Sequence, residues 1–189
     1  MIDEIIKKYV TIFPQDNGAL QVLRKQIDSG QKLNDPANFH GHVTGAAIIL
    51  SPDLTKILLI HHGFLQRWLQ PGGHWEPDEE TPLQAAQREA SEETGVVIDR
   101  YLPIDPTMPL LPIEISVHLI PERPARNQPS HYHHDFRYVF VAASEELSHQ
   151  VEEVNDAKWF VFDAPESNEL AIALTRVKEL ILPKLKSNK

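Results

Sequence analysis

The sequence predicts an α/β fold, a β-sheet covered by helices, and three observations carry that expectation. Residues 113–120 and 131–141 alternate in character with period two, the repeat of a strand whose faces meet different surroundings. Ile2, Ile5, Ile6 and Val10, and later Leu83, Ala86, Ala90 and Thr94, recur at the spacing of a helix with one apolar stripe. Strand and helix patterns succeed one another with no internal repeat and no sign of a second domain. Residues 1–189 therefore read as one unit, with a helical extension over 1–32, a core over 43–165 and a terminal helix over 166–189.

Taken in order, residues 1–30 read as two helices separated at Pro14–Gly18, the second running through Leu20, Leu23 and Ile27. Gly30, Asn34, Pro36, Asn38 and Gly41 make residues 29–42 a connecting loop. The apolar runs 43–50 and 56–61, parted by Ser51-Pro-Asp-Leu-Thr, suggest a β-hairpin with a longer turn. Trp68-Leu-Gln-Pro leads into a glycine turn at Gly72 and Gly73, and the next helix presents Ala86 and Ala90, small enough for close approach to a sheet. Residues 96–101 read as a strand, followed by a loop punctuated by Pro103, Pro106, Pro109 and Pro112. In the strand over 113–120, Ile113, Ile115, Val117 and Leu119 share one face and Glu114, Ser116 and His118 the other. In the strand over 131–141, His131, His133, Asp135 and Arg137 lie opposite Tyr132, His134, Phe136, Tyr138 and Phe140. A further strand covers 158–162, and a terminal helix over 167–185 is expected to be interrupted near Pro183.

Composition narrows the function classes. With 27 acidic residues against 18 basic, the formal net charge is −9, which argues against a nonspecific nucleic-acid surface. A small anionic substrate can still bind where cations reverse the local field. The chain has no cysteine, which removes disulfides, thiolate nucleophiles and Cys-ligated zinc. Met1-Ile-Asp-Glu-Ile-Ile-Lys-Lys mixes both signs of charge into an amphipathic pattern, unlike a signal peptide, and no apolar run approaches a membrane span. A cytoplasmic location is the resulting expectation.

The chemistry concentrates between Gly72 and Val96. A Gly-Gly turn precedes a helix on which Glu89, Glu92 and Glu93 stand three and four positions apart, so their carboxylates crowd one edge and repel. A hard divalent cation, Mg²⁺ or Mn²⁺, takes oxygen ligands and would relieve that repulsion. An acidic helix edge alone is ordinarily a solvated surface, but such a surface gives no reason for Gly72, Gly73, Arg88 and Gly95 to accompany it. The segment resembles the Nudix hydrolase signature, whose order is Gly, five residues, Glu, seven residues, then Arg-Glu-apolar-any-Glu-Glu-any-Gly-apolar. Arg88, Glu89, Glu92, Glu93, Gly95 and Val96 fall in register. Counting back seven residues from Arg88 reaches Glu80, which leaves six residues after Gly73 and implies a one-residue insertion before Glu80. Glu79 and Glu80 are therefore rivals for the first acidic position.

The resemblance implies a Nudix-type α/β/α sandwich with a mixed β-sheet between helices. It also implies divalent-metal-dependent hydrolysis of a diphosphate (pyrophosphate) linkage in a nucleoside diphosphate derivative or similar compound. Carried onto this sequence, it makes Glu89 and Glu93 metal ligands and Glu92 a ligand or the group orienting the attacking water. It makes Gly73, with Gly72, the backbone that approaches metal and phosphates, and Arg88 a structural partner of Glu80. Isopentenyl diphosphate isomerases share this fold but use a cysteine, which this chain lacks.

Outside the signature, His131, His133 and Asp135 share a strand face with Arg137, and Glu114 and His118 of the neighbouring strand could line the same cavity. Such a face suits a metal, a proton transfer or a substrate contact. His61, His62 and His74 carry a weaker version of the same argument. Arg67 suits a phosphate contact or a surface salt bridge, and Trp75, inside the turn, suits stacking on a base, whereas Trp68 and Trp159 read as packing. Glu152 and Glu153 are candidates for an additional acidic group, either a general base or a substrate contact.

Three readings compete: a Mg²⁺-dependent diphosphate hydrolase, a ligand-sensing module of the same fold that binds a nucleotide-like effector without cleaving it, and a transition-metal enzyme using His118, His131 and His133. The intact carboxylates favour the first. Its partner is a small-molecule diphosphate, with neither nucleic acid nor membrane, and homodimerisation stays open.

Overall fold

Strand β1 (Gly41–Leu50) is buried at every position, as a strand paired on both edges and covered on both faces must be. The computed structural model describes residues 1–124, 127–148, 154–162 and 169–186. On one edge β1 runs parallel to β7 (His131–Ala142), from Gly41 opposite Tyr132 to Leu50 opposite Val141. Its other edge is shared. Ile49 and Leu50 pair antiparallel with β2 (Lys56–His62), while Thr44, Gly45 and Ala46 pair with His74, Gly73 and Gly72 of β4 (Gly72–His74). β2 extends the sheet to β3 (Arg67–Leu69) and β8 (Val154–Val161), and β7 extends it to β5 (Ile98–Tyr101) and β6 (Glu114–Ile120). The sheet is mixed, as expected.

Helices α1 (Ile2–Ile12) and α2 (Gln21–Asp28), joined by a 3₁₀ turn at Pro14–Gly18, bury Ile5, Ile6, Tyr9, Leu20 and Leu23 in the same apolar core as β1. The C-terminal helix completes that contact: Arg176 donates to the Tyr9 hydroxyl at 2.8 Å, to Asp16 at 2.8 Å and to the Ile113 carbonyl at 3.1 Å. Helix α3 (Pro82–Thr94) lies directly on β1. A Cβ on Gly45 would stand 2.2 Å from the Pro82 carbonyl oxygen and 2.7 Å from the Ala86 nitrogen, so only glycine permits this approach, and Ala85, Ala86 and Ala90 face the contact.

Several boundaries differ from the sequence expectation. β1 begins at Gly41, so His42 belongs to the strand rather than to the preceding loop. β3 and β4 are three-residue strands, too short for a periodic signal, and β8 starts at Val154, ahead of the expected 158. Leu119 is exposed, so the apolar face of β6 leaves the core at its far end. The terminal helix, whose expected start falls outside the described residues, is irregular upstream of Pro183: α4 (Ala171–Arg176) passes through a π-turn at Val177–Ile181 into α5 (Leu182–Lys186). Pro183 sits in the first turn of α5, where its missing N–H is tolerated. Among the described residues no helix is long and apolar enough to cross a membrane.

Candidate active site

The carboxylate helix is fixed at both ends by local chemistry. At its start, the Gln84 N–H donates to Thr81 Oγ1 at 3.3 Å and the Thr81 N–H to Gln84 Oε1 at 3.0 Å, a reciprocal capping box with Pro82 in the first turn. At its end, Gly95 takes φ 66° and closes on Ser91 O at 2.8 Å; a Cβ there would also meet Ser148 Oγ at 2.3 Å.

Between these ends, Glu89 and Glu93 both reach the glycine strand. The Gly72 N–H donates to Glu93 Oε2 at 2.9 Å. The Glu89 carboxylate rests on the Gly73 Cα so closely that a Cβ would lie 2.1 Å from Oε1. Glu93 is buried, Glu89 half-buried and Glu92 exposed. Burial raises the Glu89 carboxyl above the usual range; Arg88 opposes this, while the like charges of Glu92 and Glu79 add to it. The site thus gathers carboxylate oxygens around a backbone turn with a surplus of negative charge.

Arg88 holds this arrangement together. Its guanidinium donates to Glu79 Oε1 at 2.9 Å, Glu89 Oε1 at 2.8 Å, Glu92 Oε2 at 3.1 Å and the His74 carbonyl at 2.9 Å. Burial would lower its pKa, but the Glu79 and Glu89 carboxylates outweigh that and raise it. The partner is Glu79 and not Glu80, whose N–H instead donates to Gln84 Oε1 at 2.7 Å. The five-residue spacing from Gly73 to the first glutamate is therefore intact, and the extra residue follows Glu79 instead of preceding Glu80. Trp75 is 8% exposed and donates to the Glu79 carbonyl at 3.0 Å, so its ring belongs to the core and is not offered for base stacking.

The other face of the same strands carries the histidines. Gly45 and Gly73 point toward α3, so by alternation His42, Thr44 and His74 point away from it, and register places His133, Asp135 and Arg137 of β7 beside them. His131 and His133 join His42 and His74 here, with ring centroids of His42 lying 5.0 Å from His74, 5.0 Å from His131 and 4.7 Å from His133. The exposed His118 reaches His133 at 5.7 Å. Burial lowers His42 to about 4, and burial with the neighbouring imidazoles lowers His133 to about 2, so both rings are neutral at physiological pH.

Asp135 and Arg137 occupy a separate closed cluster. Arg137, 4% exposed, donates to Asp135 Oδ2 at 3.1 Å, Glu114 Oε2 at 2.8 Å and the Glu169 carbonyl at 2.7 Å. Thr44 and Gln70 donate to Asp135 at 3.0 and 3.2 Å. Arg67 is exposed and pairs with Glu169 at 2.8 Å. Glu152 and Glu153 lie outside the described residues. His42 is the site residue that sequence reasoning missed: the glycine at 41, a poor strand former, hid the start of β1.

Known proteins share this architecture. The family model described as NUDIX domain matches residues 41–181. A "Probable DHNTP pyrophosphohydrolase" of Lactococcus lactis subsp. cremoris (strain MG1363) is 27% identical over 164 residues, covering 87% of this chain and 89% of that protein. The crystal structure of a NUDIX-family hydrolase from Clostridium perfringens is 29% identical with a TM-score of 0.55, over 76% of this chain and 99% of that one. The NUDIX domain of Shewanella oneidensis NrtR, complexed with ADP ribose, shares the fold at 20% identity and a TM-score of 0.53, over 82% and 96% of the two chains. With a glutamate helix seated on a glycine strand and a family match across most of its length, the chain belongs to the Nudix family of hydrolases.

Proposed function

We propose that this Nudix hydrolase depends on a divalent cation and cleaves the diphosphate linkage of a nucleoside diphosphate derivative or a related phosphorylated small molecule. The observation that carries the reading is the convergence of Glu89 and Glu93 on the Gly72–Gly73 backbone. An all-oxygen donor set of this kind suits Mg²⁺, with Mn²⁺ as substitute, and the burial that raises the Glu89 pKa is a charge pattern that a cation relieves. When bound, the ion supplies charge neutralisation at the diphosphate oxygens and acidifies a water. Glu89 and Glu93 would hold it, with Gly73 as the backbone contribution. Glu92, the exposed carboxylate, would orient the attacking water or add a further oxygen to the ion. Arg88 acts through the others, keeping Glu89 and the turn in place.

His118 and Arg67, both exposed, are the proposed substrate contacts on the sheet face, with Asp135 and Arg137 holding the floor beneath them. The partner is a small molecule, and the enzyme is assigned to the cytoplasm. The test is hydrolysis by wild-type and Glu93→Gln protein with Mg²⁺ or Mn²⁺ across a diphosphate panel led by DHNTP, after the name of the Lactococcus relative. Phosphate release is followed with a coupling phosphatase. Cleavage of one compound, lost in Glu93→Gln, supports the reading. Undiminished turnover by Glu93→Gln, or binding without cleavage by wild type, overturns it, the latter in favour of a ligand-sensing module.

A further inference from the structure

On the sheet face opposite α3, three imidazoles converge from two neighbouring strands, and the hydrolase reading gives them no role. His42 stands on β1, and His131 and His133 on β7; one ligand nitrogen from each lies within 4.8 Å of the others. Their tautomers follow from their outer hydrogen bonds. His131 Nδ1 lies 2.8 Å from the Pro129 carbonyl and His42 Nδ1 3.3 Å from the Asn38 carbonyl. A carbonyl can only accept, so each Nδ1 carries a proton, and it is Nε2 of each ring that turns inward as the atom free to ligate.

One of these nitrogens, that of His42, is not served by the described residues, and that of His131 is served only by the neighbouring imidazole of His133. The Nε2 of His42, a residue 1% exposed, has no hydrogen-bond partner among the described residues, where a buried polar atom ordinarily finds one. His131 Nε2 lies 3.2 Å from His133 Nε2, close to the roughly 3.4 Å that separates two nitrogens on a tetrahedral ion at about 2.1 Å. Backbone carbonyls that receive the far N–H of each ring are also the usual outer partners of metal-bound histidine.

We propose that His42, His131 and His133 form a second metal site, for a zinc-class transition ion, distinct from the carboxylate site on the other face of β1 and β4. Imidazole selects such ions where the all-oxygen site selects Mg²⁺. Three protein nitrogens leave a fourth position, next to His74 and His118, for a further ligand or a substrate atom. An ion here ties β7 to β1 at the end where the parallel pair begins, and it stabilises the folded chain by mass action.

The experiment uses full-length, tag-free, chelator-stripped protein titrated with Co²⁺, read by the visible bands of tetrahedral cobalt, and then displaced with Zn²⁺. One tetrahedral cobalt per chain, read from those bands, is expected in wild type and equally in Glu93→Gln, whatever further ion the carboxylate site takes. Loss of a single outer partner costs up to about 100-fold in affinity, so His133→Ala and His42→Asn should weaken binding by at least that. His42 is buried, so thermal unfolding accompanies each variant, and the half-buried His133 is the less disruptive change. Independently of any variant, one equivalent of Zn²⁺ should shift three imidazole resonances in the wild-type protein. Absence of stoichiometric binding, unshifted imidazoles, or cobalt binding that survives His133→Ala but is lost in Glu93→Gln would each overturn the second site.

Discussion

Replacing Gly73 by alanine separates carboxylate geometry from folding. A Cβ at this position would stand 2.1 Å from Glu89 Oε1 and 2.4 Å from its Cδ, whereas ordinary contact begins at 3.4 Å. The Glu89 oxygen must therefore withdraw by about 1.3 Å, the difference between 3.4 and 2.1 Å. The obstructing atoms end a flexible side chain, so β4 need not move. The cost to stability is that of loosening the Arg88–Glu89 pair, about 1 kcal/mol or less for a partly exposed ion pair. Rate is more sensitive, because a displacement of about 1 Å at a reacting centre can cost roughly 100-fold. We expect Gly73→Ala to lower kcat/KM about 100-fold, near 2.7 kcal/mol of transition-state stabilisation, and to raise the Mg²⁺ concentration needed for half-maximal rate. The measurement is steady-state hydrolysis over a Mg²⁺ series beside thermal unfolding. Gly45→Ala is the contrast: its Cβ meets backbone atoms of α3 at 2.2 and 2.7 Å, so the helix itself must lift and the melting temperature must fall. Wild-type activity and metal dependence in a folded Gly73→Ala protein would refute the assignment of Glu89 to the reacting centre.

Three further outcomes follow from the same geometry. Glu79→Gln should reduce kcat by 10-fold or more, an order-of-magnitude expectation for a supporting partner, while Glu80→Gln leaves it within about 2-fold; equal losses in rate assays would contradict the Arg88 register. Arg137→Ala strands Glu114 and Asp135 as buried carboxylates and should cost about 3–5 kcal/mol in urea unfolding, and a loss below about 1 kcal/mol would mean that their charges are compensated elsewhere. Burial, with Tyr101 beside it, holds the Tyr138 phenol well above its ordinary value, so it keeps its proton after the unfolded chain has begun to ionise near pH 10. Its contribution is complete below pH 10 and is lost as pH rises further, and Tyr138→Phe should flatten the fall of the urea midpoint between about pH 9 and pH 11.

What was legible in the sequence was local. Glu89, Glu92 and Glu93 could be placed on one helix edge because helical spacing is set within a turn, and Thr81, Pro82 and Gly95 fix the ends of α3 by equally local chemistry. The rivalry between Glu79 and Glu80 could not be resolved that way, because the path of the turn decides which one meets Arg88, and that path depends on Trp75 entering the core. The histidine face shows the limit more sharply. Period two correctly grouped His131, His133, Asp135 and Arg137 on one side of β7, but it says nothing of what that side faces. The neighbour is supplied by a parallel pairing that sets His42 opposite His133, a contact with no turn to announce it. β6 supplies Glu114 opposite Arg137. One apparent set of polar residues thereby divides. At the Arg137 end, carboxylates, guanidinium and hydroxyl hydrogen-bond one another and close a buried cluster. At the His131 end, the imidazoles of His42, His131 and His133 meet one another without a charged partner in contact among the described residues, and His42 keeps a buried nitrogen that no described residue satisfies. The same strand thus compensates its charges at one end and accumulates lone pairs at the other, and that difference in chemistry, not membership of the strand face, separates the structural residues from the candidate metal ligands.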